Sequence, residues 1–228
     1  MRPWDYIDHE CVPDDDGTIY LMNRGSEYAI HVNGYELMGS KEHGSEAALA
    51  DLACDRLARL DDARILVGGL GVGFTLAAVL RRLGPAGRAT VAELMPAVVR
   101  WNREIFGHIA KHPLRDPRVT VHVGDVGDLL ETPSGPPWSA ILLDVDNGPR
   151  ALTRPTNGWL YTREGLAAAR AALIPGGLLG IWSAAADGVL TRRLRVAGFE
   201  TEALRYNEPN RPTPDDSGTQ HLWMARRP

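Results

Sequence analysis

The stretch Arg64-Ile65-Leu66-Val67-Gly68-Gly69-Leu70-Gly71-Val72-Gly73-Phe74-Thr75-Leu76-Ala77-Ala78-Val79-Leu80 leads, after a short break, into Arg88-Ala89-Thr90-Val91-Ala92-Glu93. Ile65, Leu66 and Val67 are a short apolar run that stops at glycine, as a buried parallel strand does. Four glycines then fall within six positions, Gly68, Gly69, Gly71 and Gly73. Thr75 to Leu80 has few helix breakers. Strand, glycine turn, helix and second strand make one βαβ unit. Glycine suits the turn because a Cβ would block close approach of backbone to a ligand. The helix start offers free N–H groups and a partial positive charge. Glu93 closes the second strand, twenty residues after Gly73. An acid there can accept hydrogen bonds from the two hydroxyls of a ribose. The spacing is Gly-Gly-x-Gly-x-Gly rather than Gly-x-Gly-x-x-Gly, and no Gly-Lys-Ser/Thr follows. The motif therefore points to a nucleoside and not to a phosphate-cradling loop.

Outward from this unit, length and composition set bounds. The chain has 228 residues, 44% of them hydrophobic, which suits one α/β domain with a small addition. Its net charge of -4, with no long basic run, argues against a nucleic-acid partner. The two cysteines, Cys11 and Cys54, form neither a disulfide framework nor a metal-ligand spacing, so no metal is expected. The longest uncharged stretch, Ile65 to Leu80, is too short and glycine-rich to span a membrane. Asp5, Asp8 and Glu10 stand where a signal peptide would be apolar, so a cytoplasmic protein is expected. The expected partner is a small-molecule acceptor, and the chain is compatible with a homodimer.

Residues 1 to 17 read as a polar arm, with Tyr6 a candidate to close over a pocket as part of a lid. Asn23 to Ser26 and Asn33-Gly34 break three strand-like runs between residues 18 and 38, and Asn-Gly is a strong hairpin signal. A helix is expected from about Ala47 to Leu60, capped by Ser45. Pro96 opens another helix through about Phe106. Further strands are expected at Val119–Val123, Ala140–Leu143, Leu178–Ser183, Phe199–Tyr206 and Gln220–Ala225, with helices at 162–173 and 188–197. The fold class is thus α/β: a seven-stranded, mostly parallel, doubly wound sheet with a small N-terminal β-hairpin element. The expected division is an arm and hairpin over 1–45 and a nucleoside-binding domain over 46–228.

Three acids end successive strands: Glu93, Asp125 and Asp144. Ligands of open α/β sheets bind beyond those ends. Glu93 is placed for the ribose, Asp125 for an exocyclic amine such as that of adenine, and Asp144 for the reacting end. Gly68, Gly69, Gly71, Gly73, Leu94, Gly124 and Val126 complete the expected nucleoside site. Asp144, Asp146 and His43 are the candidate base or orienter. Asn147, Trp159, Tyr161 and Tyr6 are candidates for the acceptor side. Glu93→Ala is expected to weaken nucleoside binding while leaving the fold intact.

Ile65 to Gly73, Glu93, Gly124-Asp125, Asp144 to Pro149 and Pro175-Gly176-Gly177 together resemble the Rossmann-type methyltransferase fold. They are most similar to its spermidine synthase (polyamine aminopropyltransferase) branch, over roughly residues 18 to 226. The resemblance implies S-adenosylmethionine or its decarboxylated form as cofactor. Two features depart from that branch. The segment Asp144-Val145-Asp146-Asn147-Gly148-Pro149 is shorter than the branch's Asp-Ser-x-Asp-Pro-x-Gly-Pro. Ser45-Glu46 stands where the branch has Tyr-His or Tyr-Gln. These parts handle the amine acceptor, so the expected reaction is methyl transfer to a small molecule. Aminopropyl transfer to a diamine is the alternative, and a non-catalytic cofactor-binding protein the second alternative.

Overall fold

The structure is a computed structural model, described for residues 2–13, 17–32, 34–41, 43–132, 135–145, 155–207 and 219–228. Four strands come first: β1 (Asp5–Cys11), β2 (Thr18–Arg24), β3 (Glu27–Val32) and β4 (Tyr35–Gly39). They form an antiparallel sheet in chain order. After them come α1 (Gly44–Arg56), β5 (Arg64–Gly68), α2 (Phe74–Arg82), β6 (Arg88–Glu93) and α3 (Pro96–Trp101). A π-helical turn (Asn102–Phe106) extends α3. The chain continues through β7 (Val119–Val123), α4 (Val126–Glu131), β8 (Trp138–Leu143), α5 (Arg163–Ala172) and β9 (Leu173–Ser183). It ends with α6 (Gly188–Val196), β10 (Glu200–Tyr206) and β11 (Gln220–Arg226).

The second sheet has seven strands in the order β10-β11-β9-β8-β5-β6-β7. Only β11 runs antiparallel to its neighbours. The doubly wound, mostly parallel sheet expected from the sequence is therefore the fold. Strand order reverses between β5 and β8, which pair in parallel from Ile65↔Ala140 to Gly68↔Leu143. In such sheets the crevice at this switch point is the ligand site. Alternation along the strands feeds two cores. Ile65, Val67, Ala140 and Leu142 pack on the side of α1, α2 and the N-terminal sheet. Leu66, Ile141, Leu143 and Ile181 pack on the side of α5 and α6. Both faces are covered, which is why β5 and β8 read as near-continuous apolar runs.

Three expectations are corrected. Residues 5–11 are not an arm but a strand paired with β2 from Asp5↔Asn23 to Cys11↔Thr18. A bulge between Tyr6 and Asp8 breaks the alternation that would have marked it. Its charges are not solvent-facing markers either. The Asp8 carboxylate accepts from Trp101 Nε1 at 2.8 Å and Arg100 at 2.9 Å, and Glu10 accepts from Ala97 N–H at 3.2 Å. These bonds from Trp101 and Arg100 hold the Asp8 carboxyl down to about 2. Second, α1 begins earlier and ends earlier than the periodicity suggested. His43 is its N-cap residue, without a side-chain cap, and Ser45 lies inside the helix. Third, β9 includes Pro175-Gly176-Gly177, which were expected only to end a helix. Among the described residues no helix is long and apolar enough to cross a membrane.

Candidate functional site

The glycine turn is built as the sequence implied. Gly69, Gly71 and Gly73 have φ of 89°, 50° and 99°, where side chains other than glycine are strained. At Gly69 a Cβ would also lie 2.1 Å from the Asp144 carbonyl oxygen, so this glycine lets the ends of β5 and β8 meet. Gly68 packs under Val126 and Leu143. The turn, the end of β6 and the end of β7 enclose a hollow of about 100 Å³. Gly69, Gly71, Glu93, Leu94, Gly124, Asp125, Val126 and Asp144 all line it. Asp125 also caps α4, accepting from Gly127 N–H at 2.8 Å.

Glu93 is not the solvent-facing acid that the sequence suggested. It is only 8% exposed. One carboxylate oxygen accepts from Leu70 N–H and the other from Met95 N–H, both at 2.9 Å. Burial pushes its protonation upward, and these N–H donors pull it back. The carboxylate therefore staples the glycine turn to the start of α3. The Gly71 and Leu94 N–H groups also pull on the carboxylate, so a ligand hydroxyl would join a set of backbone donors already in place.

A second hollow of about 180 Å³ adjoins the first and shares Asp144, Leu37, Met38 and Gly71 with it. Three carboxylates line it: Glu36, Glu46 and Asp144. Phe74 and Trp182 are its aromatic walls, and the Gln220 amide oxygen is buried without a hydrogen-bond partner. Among its described lining residues there is no Lys, Arg or His. Thr75 Oγ1 bonds to Asp144 Oδ2 at 2.6 Å. Trp182 Nε1 donates to Ser45 Oγ at 3.0 Å, and Ser45 Oγ donates to Glu46 Oε2 at 2.7 Å. The Asp144 carboxyl is raised to about 7, first by desolvation and then by the charge of Glu46, against the pull of Thr75.

The other candidates fall in different places. His43 is exposed, stacks on Phe74 with ring centroids 4.0 Å apart, and lines a third hollow rather than either of these two. Tyr6 is exposed on β1, bonds His9 at 2.6 Å and lines neither hollow. Tyr161 is buried in the core on the α5 side. Trp159 lies against Gly127, one residue beyond Val126. Asp146 and Asn147 lie outside the described residues. Among the described residues no cluster of His, Cys, Asp and Glu could hold a metal ion.

Sequence reasoning missed Leu37 and Met38 from β4, Thr75 from α2, Trp182 from β9 and Gln220 from β11 as lining or bonded groups. Thr75 carried a signal, being a polar residue at the start of an otherwise apolar helix. Met38 did not. Its sulfur fills the space where a Gly71 Cβ would stand, and only the folded chain shows that.

No protein-family model matches the chain. Polyamine aminopropyltransferases of Mycobacterium tuberculosis and Mycobacterium bovis are 34% identical to it over 164 residues, 71% of this chain. The match spans only 30% of the length of those relatives. Among solved structures, spermidine synthase from Thermotoga maritima superposes with a TM-score of 0.76 at 18% identity, covering 98% of this chain and 73% of that one. A probable spermidine synthase from Corynebacterium glutamicum gives 0.69 at 20% identity, covering 100% and 81%. At such identities the structures speak to the fold. The chain is spermidine synthase-like, within the Rossmann-type methyltransferase fold. The expectation of methyl transfer is overturned, because its sequence relatives are aminopropyltransferases.

Proposed function

We propose that this chain is an aminopropyltransferase. It takes the aminopropyl group of decarboxylated S-adenosylmethionine and delivers it to a small primary amine. The observation that carries the reading is the acidic hollow: three carboxylates, two aromatic walls and, among its described lining residues, no basic side chain, beside the hollow at the glycine turn. Intact S-adenosylmethionine has an α-carboxylate that would meet like charge there. The decarboxylated form presents only an ammonium group, which carboxylates and aromatic faces attract.

In this reading Glu93 receives the ribose hydroxyls and Asp125 the adenine amine. Phe74, Trp182 and the acids hold cationic amine groups, and Gln220 accepts from one of them. The acceptor nitrogen reacts only when it has lost its proton. Asp144, ionised, takes that proton, with Thr75 fixing one of its oxygens. The amine lone pair then forms the new C–N bond as the C–S bond breaks. The bonding electrons return to sulfur, and the positive sulfonium becomes a neutral thioether. Positioning supplies much of the acceleration.

The test is calorimetric and chemical. The decarboxylated cofactor is expected to raise the melting temperature more than S-adenosylmethionine does, since stabilisation follows affinity for the native state. Mass spectrometry with a panel of diamines is expected to show an added aminopropyl group. A larger shift with S-adenosylmethionine, or a methylated product, would sink the proposal.

A further inference from the structure

A third hollow, of about 440 Å³, shares only Phe74 with the acidic hollow and nothing with the nucleoside hollow. Its floor is apolar, from Ala47 and Ala77 to Ile109 and Pro113. Its charged lining has the opposite sign to the acidic hollow. His43, Arg81, Lys111 and His112 line it, together with Arg118 and a single carboxylate, Asp116. That carboxylate is already spent. Arg118 holds Asp116 at 2.7 and 3.0 Å through its side chain and at 2.9 Å through its N–H. The remaining donors of Arg118 go to the carbonyls of Leu80, Leu83 and Gly84. Among the described residues Arg81 has one ion pair, a loose one 3.8 Å from Asp51, and its side chain is 56% exposed. Lys111 has no ion pair among the described residues, and His112 Nδ1 is buried without a hydrogen-bond partner. In a chain of net charge -4 this is a local excess of positive charge.

The backbone adds an independent mark. Lys111 and His112 are consecutive non-glycine residues in the left-handed region, with φ of 61° and 53°. They are the only such residues among those described. Strain of this kind concentrates at ligand clamps. Here it sits on two of the basic residues of the hollow. Beside them the His43 ring stacks on Phe74 with planes 24° apart, leaving a flat aromatic wall next to the apolar floor.

We infer that this hollow binds a small organic phosphate monoester. The dianionic head pairs with Arg81, Lys111 and the two imidazoles, and a flat apolar body lies on the floor against the His43–Phe74 stack. Arg is suited to the head by its paired donors and Lys by its point charge. A polyamine is excluded by the same cations, so this is not a second acceptor site. Phe74 also walls the acidic hollow, so an occupant here touches the element that opens α2 behind the glycine turn.

Phenyl phosphate is the probe, because it carries the head and a flat body without a nucleoside. Calorimetric titration of the full chain is expected to give saturable binding that weakens as salt is raised. Inorganic phosphate and phenol, which each lack one half, are expected to bind at least about tenfold more weakly. In the double variant Arg81→Gln/Lys111→Gln, affinity for phenyl phosphate is expected to fall by about tenfold or more with the melting temperature unchanged. Glu93→Gln is expected to leave it unaltered, which separates this hollow from the nucleoside site. Equal affinity in the double variant, or inorganic phosphate binding as tightly as phenyl phosphate, overturns the assignment. The outcome is independent of which group the acidic hollow transfers.

Discussion

Glu93 and Asp144 are carboxylates at the ends of the two parallel strands that flank β5, and burial raises the pKa of both. They are held in opposite ways. Both oxygens of Glu93 are bonded to backbone N–H groups within its own βαβ unit and the turn that follows it. Among the described residues the Asp144 carboxylate has one side-chain hydrogen bond, from Thr75, and it shares its hollow with the like charge of Glu46. The first arrangement is a finished local structure at the edge of the first hollow. The second leaves charge uncompensated until a cation arrives. Perturbed groups of the second kind are the ones to suspect of chemistry.

The largest expected effect comes from breaking the uncompensated member. Asp144→Asn keeps the Thr75 contact but cannot take a proton. It is expected to lower kcat/KM by roughly 100- to 10,000-fold, the range of a lost general base. Cofactor affinity should change far less. The same residue sets a pH dependence. A base with its free-enzyme value at about 7 makes kcat/KM rise with pH through that region. Stability runs the other way. A carboxyl raised from 3.8 to about 7 on folding favours the folded state fully below about pH 4, and that contribution is lost as pH rises through about 7. Melting curves from pH 4 to pH 8 should therefore decline more steeply for the parent chain than for Asp144→Asn. Parallel curves would show that Asp144 is ionised throughout, and the contrast with Glu93 would disappear.

Breaking the finished member has a smaller and mixed effect. Charge-assisted bonds to two ribose hydroxyls are each of order 1.5–3 kcal/mol, so Glu93→Ala should weaken the cofactor about tenfold to a hundredfold. The structure adds a loss that sequence reasoning denied. The N–H groups of Leu70 and Met95 lose their acceptors, which costs roughly 1–3 kcal/mol for a buried group left unpaired. Glu93→Gln keeps one carbonyl acceptor and should fall between. Chemical denaturation beside calorimetric titration reads both quantities. A variant with full stability and weak binding would return Glu93 to a pure ligand contact.

The contrast also explains what the sequence could show. The hollow at the glycine turn is legible because its turn, its acid and its strands lie between Arg64 and Glu93, and Gly124-Asp125 repeats the logic one strand on. Each signal is local: glycine where φ is positive, an acid where a strand ends. The acidic hollow joins Glu36 of β4, Glu46 of α1, Trp182 of β9 and Gln220 of β11. No spacing connects those positions, and each residue alone reads as an ordinary surface or core choice. Met38 over Gly71 is illegible for the same reason. The strand β1 failed differently. Asp8 and Glu10 read as solvated charges, but their partners Trp101, Arg100 and Ala97 lie some ninety residues away.

The smallest expected effect tests whether that strand is a wall or a lid. The N-terminal sheet supplies Ile19, Ile30 and Met38 to the hollow at the glycine turn, and Asp8 ties its first strand to α3. Asp8→Asn weakens that tie. Its carboxylate is 37% exposed, so after solvent screening the loss is about 0.5–1 kcal/mol, or some 1–4 °C in melting temperature. Because folding lowers this carboxyl from 3.8 to about 2, its stabilisation is present above pH 4 and is lost as pH falls through about 2. The gap between parent and variant should thus be full at pH 7 and begin to close only below about pH 4. A fixed wall also predicts a cofactor affinity reduced by about twofold at most, since the other three strands stay paired. If Asp8→Asn instead leaves the melting temperature untouched and speeds cofactor release, β1 opens during turnover and the N-terminal sheet is a lid after all.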